Sequence, residues 1–219
     1  MCLESGRPPR PDWDRLFEVA SAQEGLFTAK QAAEAGYSAQ LLVQHVHAGR
    51  VIRVRHGIYR LVHFPAGENE DLVAAWLWSG GAGVLSHETV LALHGLSDML
   101  LASAHLTVPA GWARRRLRVP GGGVLHHDDV PHEARIWFGA VPTTTVARTL
   151  NDCATGGLSP ELLGEASRQA LRRGLAARGD LGAVADALAP FGGIGSTPPA
   201  TALTSRRLST NARVPRSPR

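Results

Sequence analysis

The sequence has few cysteines and no long apolar run, and both absences narrow what this protein can be. Its two cysteines, Cys2 and Cys153, cannot form a disulfide framework, and neither belongs to a CxxC pair. No stretch approaches the roughly 18 apolar residues of a membrane span, and the start of the chain lacks the apolar region of a secretory signal. We therefore expect a cytoplasmic protein that does not enter a membrane, with Cys153 as a small core residue.

Aromatic residues and lysine are also scarce. Only 5% of the 219 residues are aromatic, but 44% are hydrophobic, which is enough to bury a core. Lys30 is the only lysine among 23 Lys and Arg residues, and the net charge is +4. A basic balance favours an anionic partner, and the distribution of the charges indicates where that partner binds.

Residues 26–48 have the pattern of two short helices separated by a turn. Thr28 can cap a helix that runs through Ala35, and Ser38 can cap a second helix that ends at Ala48. Gly36 separates them. On the second helix the spacing predicts an apolar face of Ala39, Leu42, Val43 and Val46, and a polar face of Gln40, Gln44 and His47. This arrangement is typical of a helix-turn-helix, with the polar face reading DNA bases.

The next segment, RVIRVRHGIYRL, alternates in the way of two β-strands joined by a tight turn at His56-Gly57. It carries four arginines and no acidic residue, so it would contact phosphate well. The same elements also occur as a protein-contact module, and the pattern leaves that alternative open. The predicted DNA-binding residues are Thr28, Lys30, Ser38, Gln40, Gln44, His47, Arg50, Arg53, Arg55, His56, Tyr59 and Arg60.

The pattern changes after Pro65 to Gly67, which marks a domain boundary. Two helices are expected over 68–79 and 86–95, the second capped by Ser86, and short strands over 104–141. Three further helices follow: one capped by Thr144 or Thr145, one capped by Ser159, and a last short helix in DLGAVADALA at 180–189. We predict an α+β protein: a disordered lead-in at 1–12, a winged helix-turn-helix at 13–65, a mixed domain at 67–188 and a disordered basic tail at 190–219, where apolar periodicity is lost.

Two further features carry charge or chemistry. A basic run, Arg114, Arg115, Arg116 and Arg118, is a second nucleic-acid contact or a solvated strand edge. The run His126, His127, Asp128 and Asp129 suggests a metal site, but adjacent strand residues point to opposite faces, and we interpret it as a polar strand end. His87 and His94 lie two helical turns apart, too far to share an ion. No nucleophile or phosphate-loop motif is found, so we predict no cofactor, no metal and no enzyme activity.

Four blocks in this order resemble the AbiEi family, the antitoxins of type IV toxin-antitoxin systems. They are GLFTAKQAAEAGYS at 25–38, GRVIRVRHGIYR at 49–60, VLSHETVLALHGL at 84–96 and VPTTTVARTLNDCA at 141–154. The resemblance implies an N-terminal winged helix-turn-helix that binds operator DNA and represses its own operon. It also implies a C-terminal domain that neutralises a nucleotidyltransferase-like toxin.

Two alternatives remain at this point. One is a stand-alone winged-helix regulator without a toxin partner. The other is a truncated relative of a nuclease-like protein, which would need clustered carboxylates for its cations; none follows Asp186. The operator sequence and the oligomeric state do not follow from the sequence.

Overall fold

A computed structural model describes residues 10–97, 103–115, 117 and 119–195. Within these residues the protein has an N-terminal head of helices and a small sheet, followed by a larger mixed sheet and a layer of helices. The α+β class predicted from the sequence is confirmed. The predictions for residues 1–9, Arg116, Arg118 and 196–219 lie outside the described residues.

The head has the element order of a winged helix-turn-helix. Its elements are α1 (Trp13–Ser21), β1 (Leu26–Thr28), α2 (Ala29–Glu34), α3 (Ala39–His47), β2 (Val51–Arg55) and β3 (Ile58–Leu61). The strands form one antiparallel sheet in the order β1-β3-β2, and the turn of the β2–β3 hairpin is made by Gly57 at φ +73°. β1 was not predicted; it is three residues long and becomes a strand because it pairs with β3.

The second part of the chain is built on a five-stranded mixed sheet in the order β6-β5-β4-β8-β7. β5 pairs with β6, and β4 with β8, in parallel; the other neighbours are antiparallel. The strands are β4 (Val84–Leu85), β5 (His105–Val108), β6 (Val124–His127), β7 (Arg135–Phe138) and β8 (Val141–Thr144). The helices are α4 (Glu70–Trp78), α5 (His87–Leu93), α6 (Val146–Thr155), α7 (Pro160–Arg172) and α8 (Gly182–Leu188).

The predicted strands need three corrections. The segment around Arg114 to Gly121 forms turns and 3-10 helix in its described residues rather than a strand. The stretch 133–142 contains a hairpin, because Gly139 at φ +57° turns the chain between β7 and β8. β4 is only two residues long and forms because β5 and β8 flank it.

The head and the following helix share a hydrophobic core. Leu26 of β1 and Ile58 of β3 are buried in one cluster with Val73, Ala74 and Leu77 of α4. The apolar face of α4 therefore covers the face of the head sheet opposite to the one that packs on the head's own helices, although α4 follows the Pro65 to Gly67 break in sequence. The division into domains at 13–65 and 67–188 remains a prediction, and this contact crosses it.

The predicted tail is ordered at its beginning. Ala189–Phe191 form a 3-10 helix, and Ile194 is 5% exposed in the cluster made by α5, α6, α7 and α8. The expectation that packing ends at Pro190 is wrong for residues 190–195, because a single apolar side chain docks on the helices without any periodic pattern in the sequence.

Cys153 lies in the same helical cluster, as predicted, and its burial raises the pKa of its thiol. A buried protonated thiol is a weak nucleophile. Among the described residues, no helix combines the length and the apolar character needed to cross a membrane.

Candidate nucleic-acid interface

Helix α3 presents a mixed polar and apolar face to solvent. Gln40, Gln44 and His47 are exposed, as predicted, and they are spaced along one side of the helix. The side chain that anchors the helix to the head is Leu42, which is 2% exposed.

Val43 was assigned to the wrong face. Its side chain is 50% exposed and lies beside Gln40, Gln44 and His47, while Leu41 and Val46 pack inward with Leu42. A nine-residue helix offers few turns from which to read a periodicity, so one residue at the border of the apolar stripe can fall on either side. Val43 is therefore a candidate contact residue that the sequence pattern missed.

Two of the predicted DNA-binding residues use their hydroxyl groups as helix caps. Thr28 Oγ1 accepts a hydrogen bond from the Gln31 backbone N–H at 3.1 Å, and Gln31 Oε1 accepts one from the Thr28 backbone N–H at 2.8 Å. Ser38 Oγ accepts a hydrogen bond from the Leu41 backbone N–H at 3.2 Å. These bonds set where α2 and α3 begin, and thus which side of α3 faces solvent.

His45, on the inner side of α3, lies in an aromatic cluster that was not predicted. Its ring stacks on Trp13 with the centroids 5.8 Å apart, and it meets the edge of Tyr37 at 5.4 Å. Burial, and then the charge of Arg50, lower the pKa of His45. This cluster joins α1 to α3, so that the exposed face of α3 is held at a defined angle to the head.

The four arginines of the hairpin segment divide into two pairs with different surroundings. Arg55 is ion-paired with Asp71 at 3.2 Å, and Arg60 is ion-paired with Glu70 at 3.3 Å. Both acids lie at the start of α4. The hairpin is free of acidic residues in sequence, but the fold brings two carboxylates to it, and half of its charge is used to hold it against α4.

Arg50 and Arg53, in contrast, are exposed. A bulge in the pairing of β2 with β3 between Arg53 and Arg55 turns these two side chains to different surroundings. The Arg53 guanidinium lies 2.8 Å from Nδ1 of the exposed His56 ring at the tip of the hairpin. These residues form the outer surface of the wing.

The remaining predicted contacts lie on either side of this surface. Lys30, on α2, is exposed and lies 4.0 Å from Glu34. Tyr59 is half-buried because its ring stacks on Phe27 with centroids 5.9 Å apart, so it supports the sheet. Of the basic run, Arg114 and Arg115 are exposed, and the Arg115 guanidinium lies 4.5 Å from the centre of the Trp112 ring.

A second cluster of polar side chains lies in the mixed sheet. His87 at the start of α5, His105 on β5 and His126 on β6 come together so that one ligand atom of each lies within 4.8 Å of those of the other two. From the sequence we assigned no metal role to His87 or His126, because we compared His87 only with His94 and His126 only with the residues that follow it. Their partners are distant in sequence, which is why spacing alone could not bring the three together.

The predicted cap at Ser86 is also corrected. Ser86 precedes α5, but its hydroxyl does not bond to the helix backbone. Instead Ser86 Oγ lies 2.9 Å from Nδ1 of His87 and accepts a hydrogen bond from Thr107 Oγ1 at 2.7 Å. Ser86 therefore positions the His87 ring.

The exposed α3 and hairpin on a three-helix head give this part of the chain the architecture of a helix-turn-helix with a basic wing. Residues 14–62 match the family model described as "Transcriptional regulator, AbiEi antitoxin", which confirms the resemblance over this segment. The fold is similar to that of the RV2827C protein from Mycobacterium tuberculosis, at 13% identity and a TM-score of 0.43 over 80% of this chain and 70% of that chain. No curated protein matches the sequence.

Proposed function

We propose that this protein is a transcriptional regulator that binds duplex operator DNA through α3 and the β2–β3 hairpin. The observation that carries the proposal is the exposed face of α3, where Gln40, Val43, Gln44 and His47 lie side by side. A helix fits the major groove of B-DNA, where amide side chains pair with adenine edges and apolar carbons contact the thymine methyl group.

The charges around α3 support the same orientation on DNA. Lys30, Arg50 and Arg53 are exposed cations on the two elements that flank the helix. Cations on both sides of a reading helix bind the phosphates that border the groove. We assign phosphate contacts to these three residues and to His56, and we assign Thr28, Ser38, Arg55, Tyr59 and Arg60 to positioning the elements that make contact.

The test of this proposal is sequence selectivity. Replacing Gln44 with alanine should reduce the ratio of affinities for the upstream operator region and for random DNA by about fivefold or more, since a bidentate base contact contributes about 1–3 kcal/mol of discrimination. The ratio is measured by fluorescence anisotropy at fixed salt concentration. Gln169→Ala, which removes the same side chain from α7, is the matched control and should leave the ratio unchanged. Equal weakening on both DNAs by Gln44→Ala would contradict a base-reading role.

We further propose that the protein is an antitoxin that represses its own operon and neutralises a nucleotidyltransferase-like toxin. The family description over residues 14–62 and the resemblance of the blocks at 84–96 and 141–154 support this role. Neutralisation would then belong to residues 67–188 and need no enzyme activity. A regulator of this kind acts on chromosomal DNA, which is the basis for expecting it in the cytoplasm.

A full-length variant separates the two activities. Arg50→Ala with Arg53→Ala should lose operator binding but still restore growth to cells that express the neighbouring toxin gene, scored beside the wild-type chain. A wild-type chain that represses its promoter but does not restore growth would instead indicate a stand-alone regulator. Metal-dependent cleavage of a plasmid by the purified protein would favour the nuclease-like alternative.

A further inference from the structure

The strongest unassigned feature of the molecule is the histidine cluster of the mixed sheet. His105 and Thr107 lie on the same face of β5, because strand residues alternate between faces. His126 of β6 pairs with Thr107 in the parallel register, so its ring lies beside that of His105. His87, from the start of α5, covers both, with its ring stacked on His126 at a centroid distance of 3.4 Å. Three elements thus bring three imidazole rings to one point.

We propose that His87, His105 and His126 bind one transition-metal ion, for which Zn²⁺ is the best match. The proposed DNA-binding function does not require this ion, so the metal-site proposal can be tested independently of that function.

One distance in the cluster is close to that between two ligands of a zinc ion. His105 Nδ1 and His126 Nε2 are 3.1 Å apart. In a tetrahedral site with Zn–N bonds of about 2.0–2.1 Å, two ligand nitrogens are separated by about 3.3 Å. The carboxylate of Glu88 lies next to them, with Oε2 at 2.7 Å from His105 Nδ1, and supplies negative charge beside a divalent cation.

The side chains behind His87 hold its ring in place and are compatible with a metal-binding tautomer. With its proton on Nδ1, His87 donates to Ser86 Oγ, whose remaining lone pair accepts the Thr107 hydroxyl. The lone pair of Nε2 then stays free for an ion. A metal-bound histidine generally donates its other N–H to a fixed acceptor in this way. His87 is also one of two non-glycine residues with positive φ among those described, at +53°, a strained backbone of the kind that occurs at functional sites.

Binding requires two changes. His105 Nδ1, which lies 2.7 Å from Glu88 Oε2 and 3.1 Å from His126 Nε2, must release any proton it carries to solvent before it can bind an ion. The second change concerns the His87 ring. Because His87 and His126 stack face to face at an interplanar angle of 10°, their in-plane lone pairs lie in parallel planes. The His87 ring must tilt from the stack for both lone pairs to meet one ion. A cleft of about 570 Å³ borders His87 and His126 and gives the ion and a fourth ligand access from solvent; its polar lining includes Asp128, Arg148 and Asp152.

The experiment is metal binding to the full-length, untagged protein after removal of metals with a chelator. Wild-type protein should bind one equivalent of Zn²⁺ and give the visible d–d bands of tetrahedral Co²⁺. Zn²⁺ at 100 times its dissociation constant should raise the melting temperature by about 5 °C or more. His126→Gln should abolish all three effects, while His132→Gln, which removes an exposed histidine of the same part of the chain, should preserve them.

Two outcomes would overturn the proposal. One is wild-type protein that binds no Zn²⁺ and shows no tetrahedral Co²⁺ spectrum, in which case the cluster is a hydrogen-bonded set of neutral histidines. The other is binding that His126→Gln leaves intact. If His126→Gln does not fold, the imidazole ¹⁵N resonances of the wild-type protein decide, because Zn²⁺ must shift those of His87, His105 and His126 and leave that of His132 in place.

Discussion

Replacing Arg53 with alanine should reduce the salt dependence of DNA binding, whereas replacing Arg55 should not. Arg53 is exposed beside His56 on the wing, but Arg55 is only 23% exposed and is ion-paired with Asp71. One lost phosphate contact lowers the slope of log K against log salt by about 0.9. Between about 50 and 200 mM salt, the loss of affinity should therefore be about 3.5-fold smaller for Arg53→Ala than for the wild-type protein.

Arg55→Ala is the matched control because it removes the same charge from the same strand. Its slope should remain near that of the wild-type protein, and its effect on folding should be about 0–1 kcal/mol, as is usual for an ion pair with an exposed partner. Slopes are measured by anisotropy titrations with random duplex DNA over a series of salt concentrations. If both variants lower the slope equally, the division of the hairpin arginines into contacting and positioning pairs is refuted.

Three further predictions concern folding. The pKa of His45 is lowered in the folded protein, so the unfolded chain binds the His45 proton more readily. The free energy of unfolding should therefore decline as the pH falls below about 6.5. In thermal melts at about pH 5 and about pH 7, His45→Gln should show a smaller difference between the two pH values than the wild-type protein. A chain that ends at residue 66 lacks α4 and exposes Leu26 and Ile58, and burial of each side chain stabilises the fold by about 1.5–3 kcal/mol. This chain should therefore unfold at a lower urea concentration than a chain that ends at residue 80 and keeps α4. Equal unfolding midpoints would contradict the shared core. Ile194→Ala in the full-length chain should lower the free energy of unfolding by about 2 kcal/mol, and an unchanged value would mean that this residue does not pack.

Most helix caps, which follow from short-range chemistry, were predicted correctly; Ser86 is the exception. The hydroxyls of Thr28, Ser38 and Ser159 accept hydrogen bonds at the helix starts assigned to them, because a cap involves residues only three positions apart. Of the two candidates Thr144 and Thr145, Thr145 is the cap. The hairpin turn at Gly57 has the same local origin. The errors concern elements that form only through contacts with distant parts of the chain. β1 is three residues long and β4 is two, and each becomes a strand because it pairs with its neighbours in the sheet.

The sequence predicted which elements form the candidate surface, but it misassigned some of the residues on it. The sequence indicated a reading helix and a basic hairpin, but it assigned Val43 to the core and treated four arginines as equivalent. The orientation of a short helix depends on what it packs against, and here the aromatic cluster around His45 and the buried Leu42 hold the other side of α3, which leaves Val43 facing outward. The arginines differ because Glu70 and Asp71 approach two of them from α4.

The sequence by itself therefore determined the order of the helices, the position of most helix starts and the chemical character of the wing, since each depends on residues within one or two turns of each other. Only the tertiary structure decided which charges remain free, whether the head stands apart from α4, and that His87, His105 and His126 meet. Those properties depend on contacts between residues that are close in space but far apart along the chain, and no periodicity or local motif records such contacts.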